Sequence, residues 1–188
     1  MRKVIHLLSA IIPLSYLWLI KERPIMLLIL VSMTSFALLV EFMRKSINHF
    51  SRWFHGLFHF MLRDNETKGQ YTGATWLLIG WTITVMLFKM PIAVAALLFL
   101  SIGDSFAAIV GKLFPIIRIG NKTLSGTFSG FIVSSLFVLL VNQSLLPIVI
   151  LSGSIVAMVV ELIPSRLNDN LTMPIFSGLI MMFLDSIL

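Results

Sequence analysis

The sequence predicts an all-α integral membrane protein, folded as one domain over residues 1–188. Three observations predict it. Apolar side chains make up 58% of the 188 residues, and mean hydropathy is +1.00, far above the level of a soluble domain. Apolar runs long enough to cross a bilayer, about 20 residues each, recur along nearly the whole chain and leave no stretch for a soluble domain. Cysteine is absent, which excludes a disulfide framework and any thiolate metal site. The formal charge of +6 does not point to nucleic acid, because the basic residues gather at the ends of the apolar runs, where membrane topology needs them.

Seven spans are expected, in order 4–20, 24–43, 71–88, 91–111, 124–141, 145–163 and 171–188. The first follows Arg2 and Lys3 like a signal peptide. It lacks a small-residue cleavage site and runs straight into Lys21-Glu22-Arg23, so it reads as a retained anchor. Between the second and third spans, segment 46–62 has a different pattern. Ile47, Phe50, Phe54, Leu57, Phe58 and Met61 recur at helical spacing, opposite Asn48, Arg52, His55 and His59. That pattern predicts an amphipathic helix in the membrane interface. His55 and His59 stand four apart, a metal-ligand spacing, but no third ligand is near in sequence and a solvated helix face is the reading.

Charge asymmetry sets the expected orientation. With seven spans, eleven of the fourteen Lys and Arg residues fall on one side: Arg2, Lys3, Arg44, Lys45, Arg52, Arg63, Lys68, Lys112, Arg118, Lys122 and Arg166. Lys21, Arg23 and Lys89 fall on the other. The positive-inside rule then puts the N-terminus in the cytoplasm and the C-terminus opposite. Segments 44–70, 112–123 and 164–170, which hold most of the polar chemistry, share the cytoplasmic face.

Asp104 stands out. It lies inside an apolar span, about 12 Å from its cytoplasmic end. A carboxylate there costs about 2.5–3.5 kcal/mol on insertion scales. Gly103, Ala107 and Gly111 repeat every four residues, as do Gly126, Gly130 and Ser134 in the next span. Small residues so spaced let two helices close together. Packing explains the stripes but requires no acid. The loop 112–123 carries Lys112, Arg118, Gly120 and Lys122 without an acid. Thr123 to Thr127 then open a helix whose N–H groups, beside a lysine, suit a phosphate. Glu161 and Asp169 lie at the cytoplasmic ends of adjacent spans. They could hold Mg²⁺ through oxygen ligands, or Asp169 or Asn170 could simply cap the last helix.

These blocks together resemble the CTP-dependent lipid kinases of membranes: dolichol kinase, phytol kinase and the yeast-type diacylglycerol kinase. The blocks run in order: Arg2-Lys3-Val4-Ile5-His6; Leu62-Arg63-Asp64-Asn65-Glu66 with Thr72-Gly73-Ala74; Gly103-Asp104 through Gly111; Lys122-Thr123-Leu124-Ser125-Gly126-Thr127; and Glu161 to Pro164 with Asp169-Asn170, Pro174 and Ser177-Gly178. The resemblance covers nearly the whole chain. It implies transfer of the CTP γ-phosphoryl group to a lipid alcohol of polyprenol, phytol or diacylglycerol type. It implies Asp104 and Lys122 as catalytic residues and Mg²⁺ at Asp104, Glu161 and Asp169. It implies nucleotide contacts from Arg63, Glu66, Gly103, Gly111, Lys122, Thr123, Gly126 and Thr127. Three positions depart from the pattern: Ser125 stands where the family has glutamate, Pro115 where a second glycine is common, and Asn168 where a second aspartate precedes Asn170. Phosphatidate cytidylyltransferases share part of the signature, but their Lys-Asp and His-Gly-Gly elements are absent here. A transporter, in which Asp104 couples to protons or substrate, is the alternative from another class; no internal repeat of the transporter kind is visible.

Overall fold

The computed structural model describes residues 2–59, 62, 64–67, 69–164 and 167–188. It is helical, with five helical segments long and apolar enough to cross a membrane: Lys3–Ile20, Arg23–Ser46, Met90–Leu113, Leu124–Val141 and Asp169–Ile187. Two shorter apolar helices, Gly73–Leu87 and Pro147–Leu162, occupy the third and sixth expected spans. They are shorter than expected because Thr72 caps the first, accepting from the Thr75 N–H, and Pro147 opens the second at its first position, where a missing N–H costs nothing.

The first span is broken rather than continuous. Helix α1 (Arg2–Leu8) is followed by α2 (Ile11–Ser15), which contains Pro13, and by a π-helical turn at Tyr16–Ile20. Helix α3 (Arg23–Ser46) is a straight run of 24 residues. After a break at Ile47, α4 (Asn48–Phe58) lies within the segment 46–62 where an amphipathic helix is expected. A single turn, α5 (Asp64–Thr67), leads to α6 (Gly73–Leu87). Arg23 donates from Nε to the Val85 carbonyl at 3.0 Å and from its guanidinium to that of Met86. A cation thus covers carbonyls that the end of α6 leaves unpaired.

Helix α7 (Met90–Leu98) is the centre of the bundle. Every residue from Ala93 to Leu100 is fully buried. It continues through a π-helical turn, Phe99–Gly103, into α8 (Asp104–Leu113). Helices α9 (Leu124–Val141), α10 (Pro147–Leu162) and α11 (Asp169–Ile187) pack around this axis. The outer faces carry large exposed apolar side chains, such as Leu28, Phe36 and Phe42 on α3 and Leu140 on α9. In water such a surface would aggregate; it suits lipid.

The small-residue stripes lie between α8 and α9. A Cβ on Gly130 would stand 2.7 Å from the Gly103 carbonyl and 3.1 Å from the Ala107 methyl, so the two backbones are already in contact there. The architecture is all-helical as expected, and the basic loop between these helices folds into a short two-stranded antiparallel hairpin: β1 (Arg118–Ile119) pairs with β2 (Lys122–Thr123). Gly120 takes φ +61° at the first of the two turn positions, where a tight hairpin of this type needs a residue without a Cβ.

Candidate functional site

Two polar clusters converge at one end of the bundle. In the first, α1 brings Lys3 and His6 to Asp104, which opens α8 directly after the π-helical turn. Lys3 Nζ lies 2.6 Å from Asp104 Oδ2 and His6 Nε2 lies 3.3 Å from the same oxygen. His6 Nε2 is also 3.2 Å from the Leu100 carbonyl in the π turn. Single π turns inside α-helices recur at functional sites, where the extra residue re-aims the side chains that follow.

In the second cluster, β2 brings Lys122 between the end of α10 and the start of α11. Its ammonium lies 2.6 Å from Asp169 Oδ2 and 3.2 Å from Glu161 Oε1, and it donates to the Glu161 carbonyl. Burial works against the Lys122 charge, but Glu161 and Asp169 outweigh it and hold the ammonium above the ordinary lysine range. Asn168 is the cap of α11, accepting from the Asn170 N–H at 3.1 Å. The capping role considered for Asp169 or Asn170 therefore belongs to their neighbour, and the Asp169 carboxylate is turned to Lys122.

Both clusters line one cavity of about 470 Å³. Asp104, Gly111, Lys122, Thr123, Thr127, Glu161 and Asp169 all reach its wall, joined by Lys3, Lys112 and Arg118. Of the other expected site residues, Gly103 and Gly126 lie in the helix contacts instead, a Cβ on Gly126 meeting the Ala107 carbonyl. Glu66 lines an adjoining groove that Lys3 and Asp104 also line, with its carboxylate accepting from the Gly73 N–H at the start of α6. Arg63 lies outside the described residues. The helix-terminus reading of 123–127 is corrected in part. Leu124 N–H donates to the Ile117 carbonyl at 3.0 Å and Gly126 N–H to the Thr123 hydroxyl at 3.2 Å, so two of those amides are already spent. Ser125 turns to the hairpin, donating to the Phe114 carbonyl at 2.5 Å.

Asp104, Glu161 and Asp169 offer only hard oxygen donors, the chemistry Mg²⁺ prefers, and Mg²⁺ commonly needs only one or two carboxylates when phosphates complete its shell. Among the described residues no three His, Asp or Glu side chains are close enough to form a ready metal cluster. The three carboxylates are of the donor type that Mg²⁺ takes, but they are not gathered into one cluster.

An apolar groove of about 440 Å³ meets this cavity at Lys3 and Asp104, which line both. Its walls are Met33, Phe36 and Val40 of α3, Phe54 and Phe58 of α4, and Leu77 and Leu78 of α6. Phe54 and Phe58 stack with ring centroids 4.8 Å apart. Helix α4 therefore turns Phe54 and Phe58 to the groove while Trp53 and Leu57 remain exposed.

Four charged or titratable residues of this region carry no site role in the sequence reading, although Lys3 and His6 stand in its opening block. Lys3 and His6 are three apart on α1, a spacing that puts both on one helix face, and that was the available signal. Glu41 and Arg44, also three apart, form a buried pair at 2.6 Å. Arg44 further donates to the Glu66 carbonyl at 2.7 Å and the Gln70 carbonyl at 2.5 Å. Glu41 accepts from Thr72 N–H at 2.7 Å and the Thr75 hydroxyl at 3.2 Å. This network ties the end of α3 to the loop before α6, and Glu41 reaches the groove wall.

No family model matches the chain, and no solved structure matches it. It is 29% identical over 190 residues to Uncharacterized protein RP860 of Rickettsia prowazekii (strain Madrid E), a match covering 93% of this chain and 88% of that protein. The two chains are similar along nearly their whole lengths.

Proposed function

We propose that this chain is a multi-pass membrane enzyme that transfers the γ-phosphoryl group of a nucleoside triphosphate, CTP by resemblance, to the hydroxyl of a lipid alcohol. The observation that carries the reading is the meeting of two unlike cavities at one carboxylate. A cavity lined by three lysines and a largely apolar groove share Asp104 and Lys3. A lipid alcohol needs an apolar channel ending at an acid. A polyphosphate needs the cations beyond it. In this reading seven spans cross the membrane, with the N-terminus and the polar cavity on the cytoplasmic side.

Phosphoryl transfer is mostly positioning and charge neutralisation. The lipid chain lies along Phe36, Phe54 and Leu78, with its hydroxyl at Asp104. Asp104 accepts the hydroxyl proton as that oxygen bonds to the γ-phosphorus and the bond from the γ-phosphorus to the β-bridging oxygen breaks. The products are lipid phosphate and CDP. Lys3 and His6 hold the Asp104 carboxylate in position. Lys122 binds the phosphates, with Thr127 beside it. Glu161 and Asp169 would hold Mg²⁺, with Asp104 as a further ligand in the alternative where it does not act as the base, and the ion would supply neutralisation of the phosphate charge.

The test is phosphoryl transfer by the purified full chain in proteoliposomes, with CTP or ATP labelled at the α or γ position and a panel of polyprenol, phytol and diacylglycerol. γ-Label in the lipid, without α-label, supports the kinase. α-Label in the lipid instead identifies cytidylyl transfer. Neither label in any lipid, with the chain folded, overturns the proposal and leaves transport to be measured.

A further inference from the structure

A second polar cavity, of about 590 Å³, adjoins the first and shares Lys122 and Asp169 with it. Its walls differ in chemistry from the phosphate side. Trp76, in the first turn of α6, and Tyr71, just before it, both line it. Their rings meet edge to face, with centroids 6.2 Å apart and planes at 84°. Lys45 Nζ lies 3.8 Å from the centre of the Tyr71 ring, which keeps that ring in place. Gln70, Asn121 and Asn168 complete the polar wall. Gln70 and Asn121 are exposed residues, and the side-chain amide of each carries both donors and an acceptor.

We propose that this cavity takes the nucleobase and ribose of the nucleotide whose phosphates lie at Lys122, with the base stacked on Trp76. The proposal rests on the phosphoryl-transfer reading for the phosphate end and adds the part of the site that tells a nucleotide from a bare polyphosphate. Three observations carry it. The cavity is continuous with the Lys122–Asp169 cluster, so a ligand held there by its phosphates extends into it. It presents aromatic surface where a planar ring needs a face. It presents amides where the edge of that ring needs donors and acceptors. Tyr and Trp also anchor helices at a membrane interface, but an anchor has no need of a polar cavity containing Lys122 and Asp169.

Equilibrium dialysis of the purified full chain in nanodiscs decides it, with labelled CTP, UTP, ATP and inorganic tripolyphosphate as probes. Tripolyphosphate carries the phosphates without a base. Stacking on one aromatic ring predicts that CTP binds roughly 5- to 150-fold more tightly than tripolyphosphate. Trp76→Ala removes that preference and leaves tripolyphosphate binding unchanged, while Trp76→Phe keeps most of it. Lys122→Ala weakens both ligands together. If Trp76→Ala leaves the CTP-to-tripolyphosphate ratio unchanged while Lys122→Ala weakens both, Trp76 is an interfacial anchor only. The base site is then overturned and the kinase reading stands. If the folded wild-type chain binds no probe, both fall. If CTP binds through Trp76 but no label reaches lipid, the kinase reading fails alone.

Discussion

Replacing Asp104 by asparagine keeps the size of the side chain and removes its charge and its capacity to take a proton. Its structural cost can be bounded from the geometry. The nearer of the carboxylate's two partners is Lys3, 2.6 Å away and 38% exposed, with His6 at 3.3 Å, while the Asp104 side chain is 14% exposed. Hydrogen bonds to charged groups are worth about 1.5–3 kcal/mol when both ends are dry. Lys3 can turn to water, so solvent screening brings the loss to about 1 kcal/mol or less. The chemical cost is larger. A positioned general base contributes about 10²- to 10⁴-fold, which is about 3–5 kcal/mol of barrier. The Asp104→Asn chain is therefore expected to melt within a few degrees of wild type in detergent, yet to lose 10²-fold or more of its kcat for label transfer from γ-labelled CTP to lipid. Nucleotide binding, measured by dialysis, persists in large part, because Lys122, Glu161 and Asp169 remain. Full activity in a folded Asp104→Asn protein refutes the reasoning, as does a loss of melting temperature large enough to account for the lost activity.

Three further outcomes are expected. Lys122 has its pKa raised above the ordinary 10.5 by Glu161 and Asp169, against the effect of burial. Its contribution to stability is complete below 10.5 and is lost as pH rises through the higher folded value; melting temperature across the alkaline range, with Lys122→Gln removing the dependence, checks this. Arg44→Met leaves Glu41 buried without its cation and is expected to cost about 3–5 kcal/mol, read from thermal unfolding in detergent. The double change Glu41→Gln with Arg44→Met recovers part of it, because the glutamine still accepts from Thr72. Gly130→Ala puts a methyl 2.7 Å from the Gly103 carbonyl and forces α8 and α9 apart, at about 1–3 kcal/mol for overpacking, whereas the same change at the open Gly56, with nothing within 4 Å, loses far less stability.

Much of the site was readable from residue type alone. An aspartate inside an apolar run, a lysine at a helix start and a glutamate with an aspartate at facing span ends are rare enough in a membrane chain to stand out. Their assembly was not readable. Lys3 and Asp104 are 101 residues apart, and nothing local to α1 says which helix it will meet. Glu41 and Arg44 read as the charged edge of a span, and only the fold around Glu66 to Thr75 makes them a buried knot. The hairpin was missed because Arg118-Ile119 and Lys122-Thr123 are too short for any alternation to show. The broken first span was missed because one apolar composition serves a continuous helix and an interrupted one alike.

The sequence by itself determined the helical membrane class, the approximate places of the helices and the chemical kinds of the polar groups, since bilayer length and the cost of buried charge act on residues one at a time. Only the tertiary structure decided which helix is central. The most apolar 18-residue stretches of helix α3 and of the segment that runs through α7 and α8 are almost equally apolar, at mean hydropathies of 2.3 and 2.1, yet 17% of the first stretch and 78% of the second is buried inside the bundle. Lipid and protein interior are both apolar solvents, so hydrophobic patterning cannot tell the outside of a membrane bundle from its core. The packing of small residues and the pairing of distant charges make that distinction, and with it they bring Lys3, Asp104, Lys122, Glu161 and Asp169 around one cavity.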